Sequence, residues 1–242
     1  MTMFNFKLNL SASKQTSLFA LAGLTTASLI YYWFQMDLCP LLLFNRKIKY
    51  RSDSKKSVLT IDDAPYTDES FRSILDVLKK HNTTATFFVI SGFVTPRNRS
   101  MLIEAVQSGH HLANHGSANS VHCLHNYLTL DDEMANCQEL IDDVYAEANV
   151  PKPTIKYYRP GHGLVSPTIA DYCAKNNYEI VLGNIYPLDP VVSSKMLNKF
   201  YIYRHIRGND IIILHDRSYT PEMLDELLPE MKQMDYEISS LC

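Results

Sequence analysis

From Ser57 onward the chain alternates short apolar runs with longer segments of helical periodicity, and this alternation constrains the fold most strongly. In the longer segments the apolar residues recur at three- and four-residue spacing, which is typical of an amphipathic helix. Strands that alternate with such helices pair in parallel, because each helix returns the chain across the sheet. The sequence therefore predicts an α/β domain, and its seven predicted strands favour a barrel of the (β/α)7 type over an open sheet.

The predicted elements cover the chain from residue 58 to residue 238. The strands are expected at 58–61, 85–90, 111–114, 154–158, 179–182, 211–214 and 236–238. The helices are expected at 70–81, 101–107, 131–148, 167–176, 194–207 and 221–233.

Three further segments precede the predicted domain, which covers residues 57–242. They are a polar tail (1–14), a charge-free apolar stretch (15–36) and a linker (37–56). The apolar stretch is long enough to cross the roughly 30 Å hydrocarbon core of a bilayer, and aromatic residues cluster near its end, as they do at membrane interfaces. We predict a single N-terminal hydrophobic helix that acts as a membrane signal-anchor. A buried helix of the domain and a cleaved signal peptide are the alternatives.

The sequence leaves open on which side of the membrane the predicted domain lies. Basic residues just after the apolar stretch outnumber the lysines before it, which places the domain in the cytosol by the positive-inside rule. Two glycosylation sequons, at 82–84 and 98–100, instead favour a secretory destination.

Composition argues against two classes of protein. The net charge of −3, without a basic stripe, does not suit a nucleic-acid binder. Five cysteines without CxxC spacing do not indicate a zinc knuckle or a disulfide scaffold. We expect Cys123 and Cys137 to be buried free thiols, with a disulfide between them as the alternative. The oligomeric state is left open.

Two adjacent carboxylates, Asp62 and Asp63, come at the end of the first predicted strand. Neighbouring side chains of a strand point to opposite faces, but at a strand's end both carboxylates can turn into one pocket. Two like charges held that close repel each other, and a bound cation relieves the repulsion. One aspartate would then bind a metal while the other acts as a base. A turn that caps the next helix is the alternative, and this stretch alone leaves both open.

Polar residues also follow the other predicted strands. His115 follows the third, residues 159–163 follow the fourth, Asp189 lies past the fifth, and His215 and Asp216 end the sixth. Because the carboxyl ends of parallel strands in β/α barrels meet at one rim, where catalytic residues collect, the sequence predicts an active site there.

With these residues, the chain resembles the polysaccharide deacetylases with a NodB homology domain, carbohydrate esterase family 4, across about residues 55–242. The run from Thr60 to Pro65 is similar to that family's first motif, T-F-D-D-G-P. The resemblance implies a distorted, NodB-like barrel in which Asp62 is the general base and Asp63 a metal ligand.

The second motif, H-[S/T]-x-x-H, is similar in its first half only. By resemblance His115 is a metal ligand, and Asn119 falls where the second ligand histidine is expected. An amide oxygen is a weaker zinc ligand than an imidazole. His111, His122 and His125 lie nearby and could be recruited, although we expect them to be structural or exposed.

The remaining motifs imply the other site residues. Arg159, in a match to R-x-P-[Y/F]-G, would orient Asp62. His162 would offer its backbone N–H to the oxyanion, beside Tyr158 as a second substrate contact. In the partial fourth motif, Asp189 would partner either Arg159 or the catalytic histidine. The fifth, L-x-H, makes His215 the general acid, with Ile213 lining a pocket for the acetyl methyl group.

The resemblance implies a metal-dependent hydrolase, with zinc as the expected ion. Its substrate would be a GlcNAc-containing polysaccharide or oligosaccharide, chitin- or peptidoglycan-like, from which it removes N-acetyl groups. The alternative is a catalytically impaired, membrane-tethered NodB-like domain that binds a glycan or a partner. Asn119 and the loss of the fourth motif's tryptophan motivate that alternative.

Overall fold

The computed structural model describes residues 48–241, so the predicted tail and the apolar stretch 15–36 lie outside the described residues. In the part that is described, no helix combines the length and the apolar character needed to cross a membrane. The N-terminal signal-anchor stays a prediction.

The domain is built on one sheet of eight strands, and all their pairings are parallel. The strands are β1 (Ile48–Lys49), β2 (Ser57–Ala64), β3 (Thr86–Val89), β4 (His111–Asn114), β5 (Lys156–Tyr158), β6 (Tyr178–Val181), β7 (Ile211–His215) and β8 (Ile238–Ser239). The helices are α1 (Asp68–Lys80), α2 (Pro96–Gln107), α3 (Tyr127–Glu147), α4 (Pro167–Lys175), α5 (Lys195–His205) and α6 (Thr220–Gln233). The predicted α/β fold with parallel pairing is confirmed.

The strand order is β1-β6-β5-β4-β3-β2-β7, and β8 pairs with β2 outside that path. The ends of the path are connected through isolated bridges, Arg51 to Asp210 and Ile185 to Ile212, rather than through a continuous ladder. The closed (β/α)7 barrel is therefore not confirmed. One reason is that β1 has only two residues and offers little backbone for pairing.

Strand β1 lies inside the segment predicted as a linker. Ile48 and Lys49 pair with Ile180 and Val181 of β6, and Arg51 just beyond them forms an ion pair with Asp210 at 2.6 Å. A two-residue strand leaves no periodicity in the sequence, so the pattern could not indicate it.

Helix α2 begins at Pro96, five residues before the predicted start. The side chain of Thr95 accepts from the backbone N–H of Asn98, and the Asn98 side chain accepts from that of Thr95 at 2.7 Å, which forms a capping box. Pro96 occupies the first turn, where a missing N–H costs nothing. Asn98 is 2% exposed, so the sequon at 98–100 is not the surface loop that a glycan acceptor needs.

The sheet and helices enclose an apolar core that positions the site. All eight residues of β2 are buried, because it lies between β3 and β7 in the sheet. Cys137 and Cys173 are buried free thiols, and burial raises the pKa of each to about 12. Cys123 is also free, as expected, but it is half-buried and not buried.

Candidate active site

The carboxyl end of β2 departs from regular strand geometry at the two predicted carboxylates. Between Ile61 and Ala64 the register shifts, because three steps along β2 face two along β3, and this is a β-bulge. Asp63 adopts the left-handed conformation with φ 61°, whereas Ala64 does not, so the alanine at the motif's glycine position adds no strain of this kind. Asp62 and Asp63 are each 4% exposed. The bulge allows consecutive side chains to contact groups of the same rim, as the sequence predicted.

Asp62 forms a buried ion pair with Arg159. Nη1 of Arg159 donates to Oδ1 of Asp62, and it also donates to Oγ1 of Thr60 at 2.9 Å. Its Nε donates to the carbonyl oxygen of Val181 at 2.9 Å, and the guanidinium lies 4.0 Å from the centre of the Phe88 ring. Burial lowers the pKa of Arg159 and Asp62 opposes that shift, while arginine stays charged in proteins. The Asp62 carboxylate therefore has a fixed cationic partner.

His215 and Asp189 form a second buried pair. Oδ1 of Asp189 lies 3.0 Å from Nδ1 of His215, and Oδ2 accepts from the backbone N–H of His215 at 2.9 Å. Burial alone would lower the pKa of His215, but Asp189 and the two carboxylates of β2 raise it above 6.5. Of the two partners that the sequence left open for Asp189, the structure has it contact the histidine and not Arg159.

The two pairs lie side by side because β2 and β7 are neighbours. Asp62 and His215 are register partners, and the backbone N–H of Asp216 donates to the Asp62 carbonyl at 2.9 Å. A carboxylate held by a cation thus lies beside an imidazole held by a carboxylate. The first group is suited to accept a proton, and the second to donate one.

His115, which directly follows β4, presents a ring nitrogen to Asp63. Its Nδ1 lies 2.6 Å from the carbonyl oxygen of Arg159, which can only accept, so in the neutral ring Nδ1 carries the proton and Nε2 the lone pair. Nε2 is 3.6 Å from Oδ1 of Asp63, and both side chains are nearly buried. Two ligands of one tetrahedral zinc, each bound at about 2.1 Å, lie about 3.4 Å apart. The pair fits two neighbouring positions around a divalent cation.

The predicted third ligand is not buried with this pair. Asn119 is exposed in the bend of residues 117–120. Within residues 48–241, no group of three His, Cys, Asp or Glu side chains is arranged to hold a metal ion. The donor set therefore fits a cation through Asp63 and His115, and ligation by Asn119 stays a prediction.

Arg217, a cation outside the predicted site, contacts Asp63. Its Nη2 donates to Oδ2 of Asp63 at 2.5 Å, and its guanidinium lies 4.2 Å from the centre of the Tyr66 ring. Burial alone would raise the pKa of Asp63, but interactions with two histidines and with Arg217 hold it below its ordinary value. Sequence reasoning missed this residue because the last family motif ends at His215 and does not include it. Its place two residues after His215 is the signal that points to it.

The three predicted substrate contacts differ in exposure. His162 is exposed in the turn Gly161–Gly163, and Ile213 is partly exposed on β7. Tyr158 is fully buried, and its hydroxyl lies 2.7 Å from Nδ1 of His122. The predicted substrate contact of Tyr158 is corrected accordingly, because its ring belongs to the core and has no exposed surface for a ligand.

His122 contacts the loop that follows His115, because its Nε2 lies 3.4 Å from the carbonyl oxygen of Ala118. The backbone N–H of Gly161 donates to Nδ1 of His122 at 2.9 Å, which leaves the ring proton on Nε2, 3.3 Å from Oε2 of Glu133. Burial, assisted by the neighbouring histidines, lowers the pKa of His122 to about 4. Both ring nitrogens contact protein groups, which agrees with the expected structural role.

Comparisons with known proteins match the same part of the chain. A family model described as polysaccharide deacetylase matches residues 49–181, more than half of the chain. Peptidoglycan-N-acetylglucosamine deacetylase of Bacillus cereus is 28% identical over 198 residues, which cover 76% of this chain and 85% of that protein.

Two solved structures are also similar. A CE4 family pseudoenzyme from Bacillus anthracis superposes with a TM-score of 0.70 at 20% identity, covering 81% of this chain and 68% of that one, and shows the fold alone. A family 4 acetyl xylan esterase from Clostridium thermocellum, solved in complex with a cobalt ion, has a TM-score of 0.65 at 26% identity and coverages of 76% and 87%. The family match and the ordered motifs agree: this chain belongs to the polysaccharide deacetylase family of hydrolases.

Proposed function

We propose that this chain hydrolyses N-acetyl groups of a GlcNAc-containing glycan, chitin- or peptidoglycan-like, with Asp62 as base and His215 as acid. The observation that carries the proposal is that these residues are register partners on adjacent strands and are held by opposite charges, Arg159 and Asp189. The Bacillus cereus relative is named for the same chemistry on peptidoglycan.

In this reaction Asp62 takes a proton from water as the water oxygen bonds to the acetyl carbon. The carbon–nitrogen bond then breaks, and His215 gives its proton to the departing nitrogen. The products are acetate and a free amine. Asp189 supports this role because it raises the pKa of His215, which keeps the acid protonated at higher pH.

Asp63 and His115 would hold a divalent metal, zinc being the expected ion and Asn119 the expected third ligand. Bound there, the metal would polarise the acetamide carbonyl and the attacking water. The backbone N–H of His162 is the proposed donor to the oxyanion. Ile213, partly exposed on β7, is the proposed contact for the acetyl methyl group.

A second candidate function is glycan binding without hydrolysis. The exposure of Asn119 favours it, because a metal held by two protein ligands lacks the three that catalytic zinc sites usually have. One of the solved structures with a similar fold is described as a pseudoenzyme of the CE4 family. The retained acid and base favour hydrolysis.

The two functions are separated by incubating the full chain with N-acetylated chitooligosaccharide or peptidoglycan and added divalent metal. Hydrolysis releases acetate and new amine in equal amounts, and Asp62→Asn stops both. Asp76→Asn, at an exposed carboxylate of α1, is the matched control and keeps full activity. If the chain binds the glycan saturably but releases no acetate with any of the added metals, it functions in glycan binding without hydrolysis.

A further inference from the structure

The two oxygens of the Asp63 carboxylate have different partners. Oδ1 lies 3.6 Å from Nε2 of His115, where a metal ion would bind between them. Oδ2 accepts a hydrogen bond from Nη2 of Arg217 at 2.5 Å. One carboxylate is therefore placed between a candidate metal position and a permanent cation of the chain.

Each of the adjacent carboxylates has its own arginine. Asp62 is paired with Arg159 and Asp63 with Arg217, and both aspartates are 4% exposed. A buried carboxylate without a cation is strongly destabilising, and a second one beside it adds repulsion. The two arginines balance the charge of this pair with no metal bound.

We propose that Arg217 is a resident cation of the metal site, which competes with the divalent metal for Asp63 and keeps the affinity for that metal low. The inference rests on the proposed function, since it concerns the metal of that site. When the site is empty of metal, Arg217 neutralises Asp63. When metal is supplied, the guanidinium repels it across the shared carboxylate.

Competition outweighs orientation because other groups already orient the two ligands. The left-handed conformation of Asp63 at the bulge directs its side chain, and the carbonyl of Arg159 holds the His115 ring through Nδ1. Removing Arg217 leaves these constraints in place and removes a positive charge. A guanidinium that served only to orient Asp63 would not be needed here.

Arg217 has room to yield to a metal. Its side chain is 18% exposed, whereas that of Arg159 is 3% exposed. Its guanidinium stacks on Tyr66, which is itself 48% exposed, and Nη1 donates to the carbonyl of Asp216 at 2.7 Å. The guanidinium can therefore leave Oδ2 toward solvent along the tyrosine ring, which the buried Arg159 cannot do.

The test is zinc affinity, measured by competition with a chelator, in the full chain and in Arg217→Met. We expect zinc to bind the variant about 10–100-fold more tightly, the range over which groups beside a metal ligand change its affinity. Arg217→Lys, which keeps the charge, should stay near the original affinity. Arg204→Met, at an exposed arginine of α5, is the control for net charge and should change nothing.

A second readout, thermal unfolding, does not require a competing chelator. Without metal, Arg217→Met should unfold at a lower temperature, and added zinc should raise its Tm more than that of the unchanged protein. If the variant folds only when zinc is present, the proposal is supported in its strongest form.

Weaker or unchanged zinc binding by Arg217→Met would overturn the proposal, as would a lack of binding by both proteins. The measurement needs no substrate. Tighter binding with no hydrolysis would support the proposal about Arg217 while the proposed function fails, and hydrolysis with unchanged affinity would give the reverse.

Discussion

Asp62 on β2 and His215 on β7 are direct register partners at the carboxyl ends of two adjacent parallel strands. Their separation is therefore set by the spacing of the sheet, about 4.8 Å between strands, rather than by loops. Each is held by a buried partner of opposite charge, Arg159 or Asp189. A base and an acid placed in this way keep their geometry when the surface loops vary.

The different contacts of the two adjacent carboxylates predict different defects. Asp62→Asn should abolish acetate release and leave zinc binding within about threefold of the original, because Asp62 contacts Arg159 and not the candidate metal position. Asp63→Asn should lose both, since it removes one of the two placed ligands. Acetate assays and chelator competition measure the two properties separately. Equal losses of zinc in both variants would contradict the assignment of base and ligand.

A matched pair of glycine substitutions tests the support beneath His115. Gly116 has φ 81° and Gly163 has φ 68°, so an alanine is strained at both positions. A Cβ at Gly116 would lie 2.7 Å from Cε1 of His122, whereas nothing lies within 4 Å of one at Gly163. Gly163→Ala should lower the free energy of unfolding by about 1–2 kcal/mol, the usual cost of a residue with a Cβ in the left-handed conformation.

Gly116→Ala should lower the free energy of unfolding by about 1–3 kcal/mol more than Gly163→Ala does, because the buried His122 has to move. Urea unfolding of both variants gives the comparison. Equal losses of stability would mean that the loop relaxes around the new methyl group, and His122 would then not be the rigid support that its contacts indicate.

The fold was predictable where periodicity and length carried the signal. All seven predicted strands and all six predicted helices have counterparts, since amphipathic patterns report which face of an element is buried. Strand β1 could not be found in this way, because its two residues, Ile48 and Lys49, are too few to show a periodicity. The number of strands also could not show whether the sheet closes.

The candidate site was predictable as far as the motifs extend. The sequence indicated that Asp62, Arg159 and His215 meet at one rim, because each follows a parallel strand. It could not indicate that Tyr158 faces the core, because β5 ends in two adjacent tyrosines that the sequence pattern does not distinguish. The motifs also left out Arg217, although it lies two residues after His215, because its contact with Asp63 is not part of any of them.

The bounds of β1 predict where the chain can be shortened. A fragment that begins at residue 46 keeps the pairing of β1 with β6 and the ion pair of Arg51 with the fully buried Asp210, so it should fold without the residues before it. A fragment that begins at residue 57 leaves that carboxylate without its arginine and should unfold at a lower Tm. Thermal unfolding of the two fragments provides the comparison. Insolubility of the longer fragment, alongside a folded full chain in detergent, would show that the N-terminal residues belong to the core.

Asp216 predicts a pH dependence of stability. Burial raises its pKa to about 6, so the folded state holds a proton that the unfolded chain has lost between about pH 4 and pH 6. A group with a raised carboxyl pKa makes stability fall as the pH rises through that window. Asp216→Asn removes the titrating carboxyl group and with it this pH dependence. The backbone N–H of Tyr66 donates to the Asp216 carboxylate at 2.8 Å, and the amide oxygen of the variant can still accept that hydrogen bond.

The free energy of unfolding of the variant, relative to that of the original protein, should therefore rise by up to about 2–3 kcal/mol from pH 4 to pH 7. This follows from about 1.4 kcal/mol for each pKa unit. Urea unfolding at the two pH values measures the difference. A difference that is independent of pH would show that Asp216 is ionised in the folded protein at both values.

Asn119→His tests the third metal position. The bend of residues 117–120 is held at both ends. At its start, the backbone N–H of Gly92 donates to the carbonyl of Ser117 at 3.0 Å. At its end, the backbone of Ser120 packs so closely on Gly161 that a Cβ there would lie 2.1 Å from the Ser120 carbonyl oxygen. Asn119 itself is exposed, so a larger side chain has room there. If this position faces the cation between Asp63 and its histidine, an imidazole completes a three-ligand set and should tighten zinc binding by at least about tenfold. Chelator competition measures it, and unchanged or weaker affinity would show that the position does not face the metal. Because the new ligand adds a bond while Arg217→Met removes a repulsion, the gains of the two variants should multiply in the double variant.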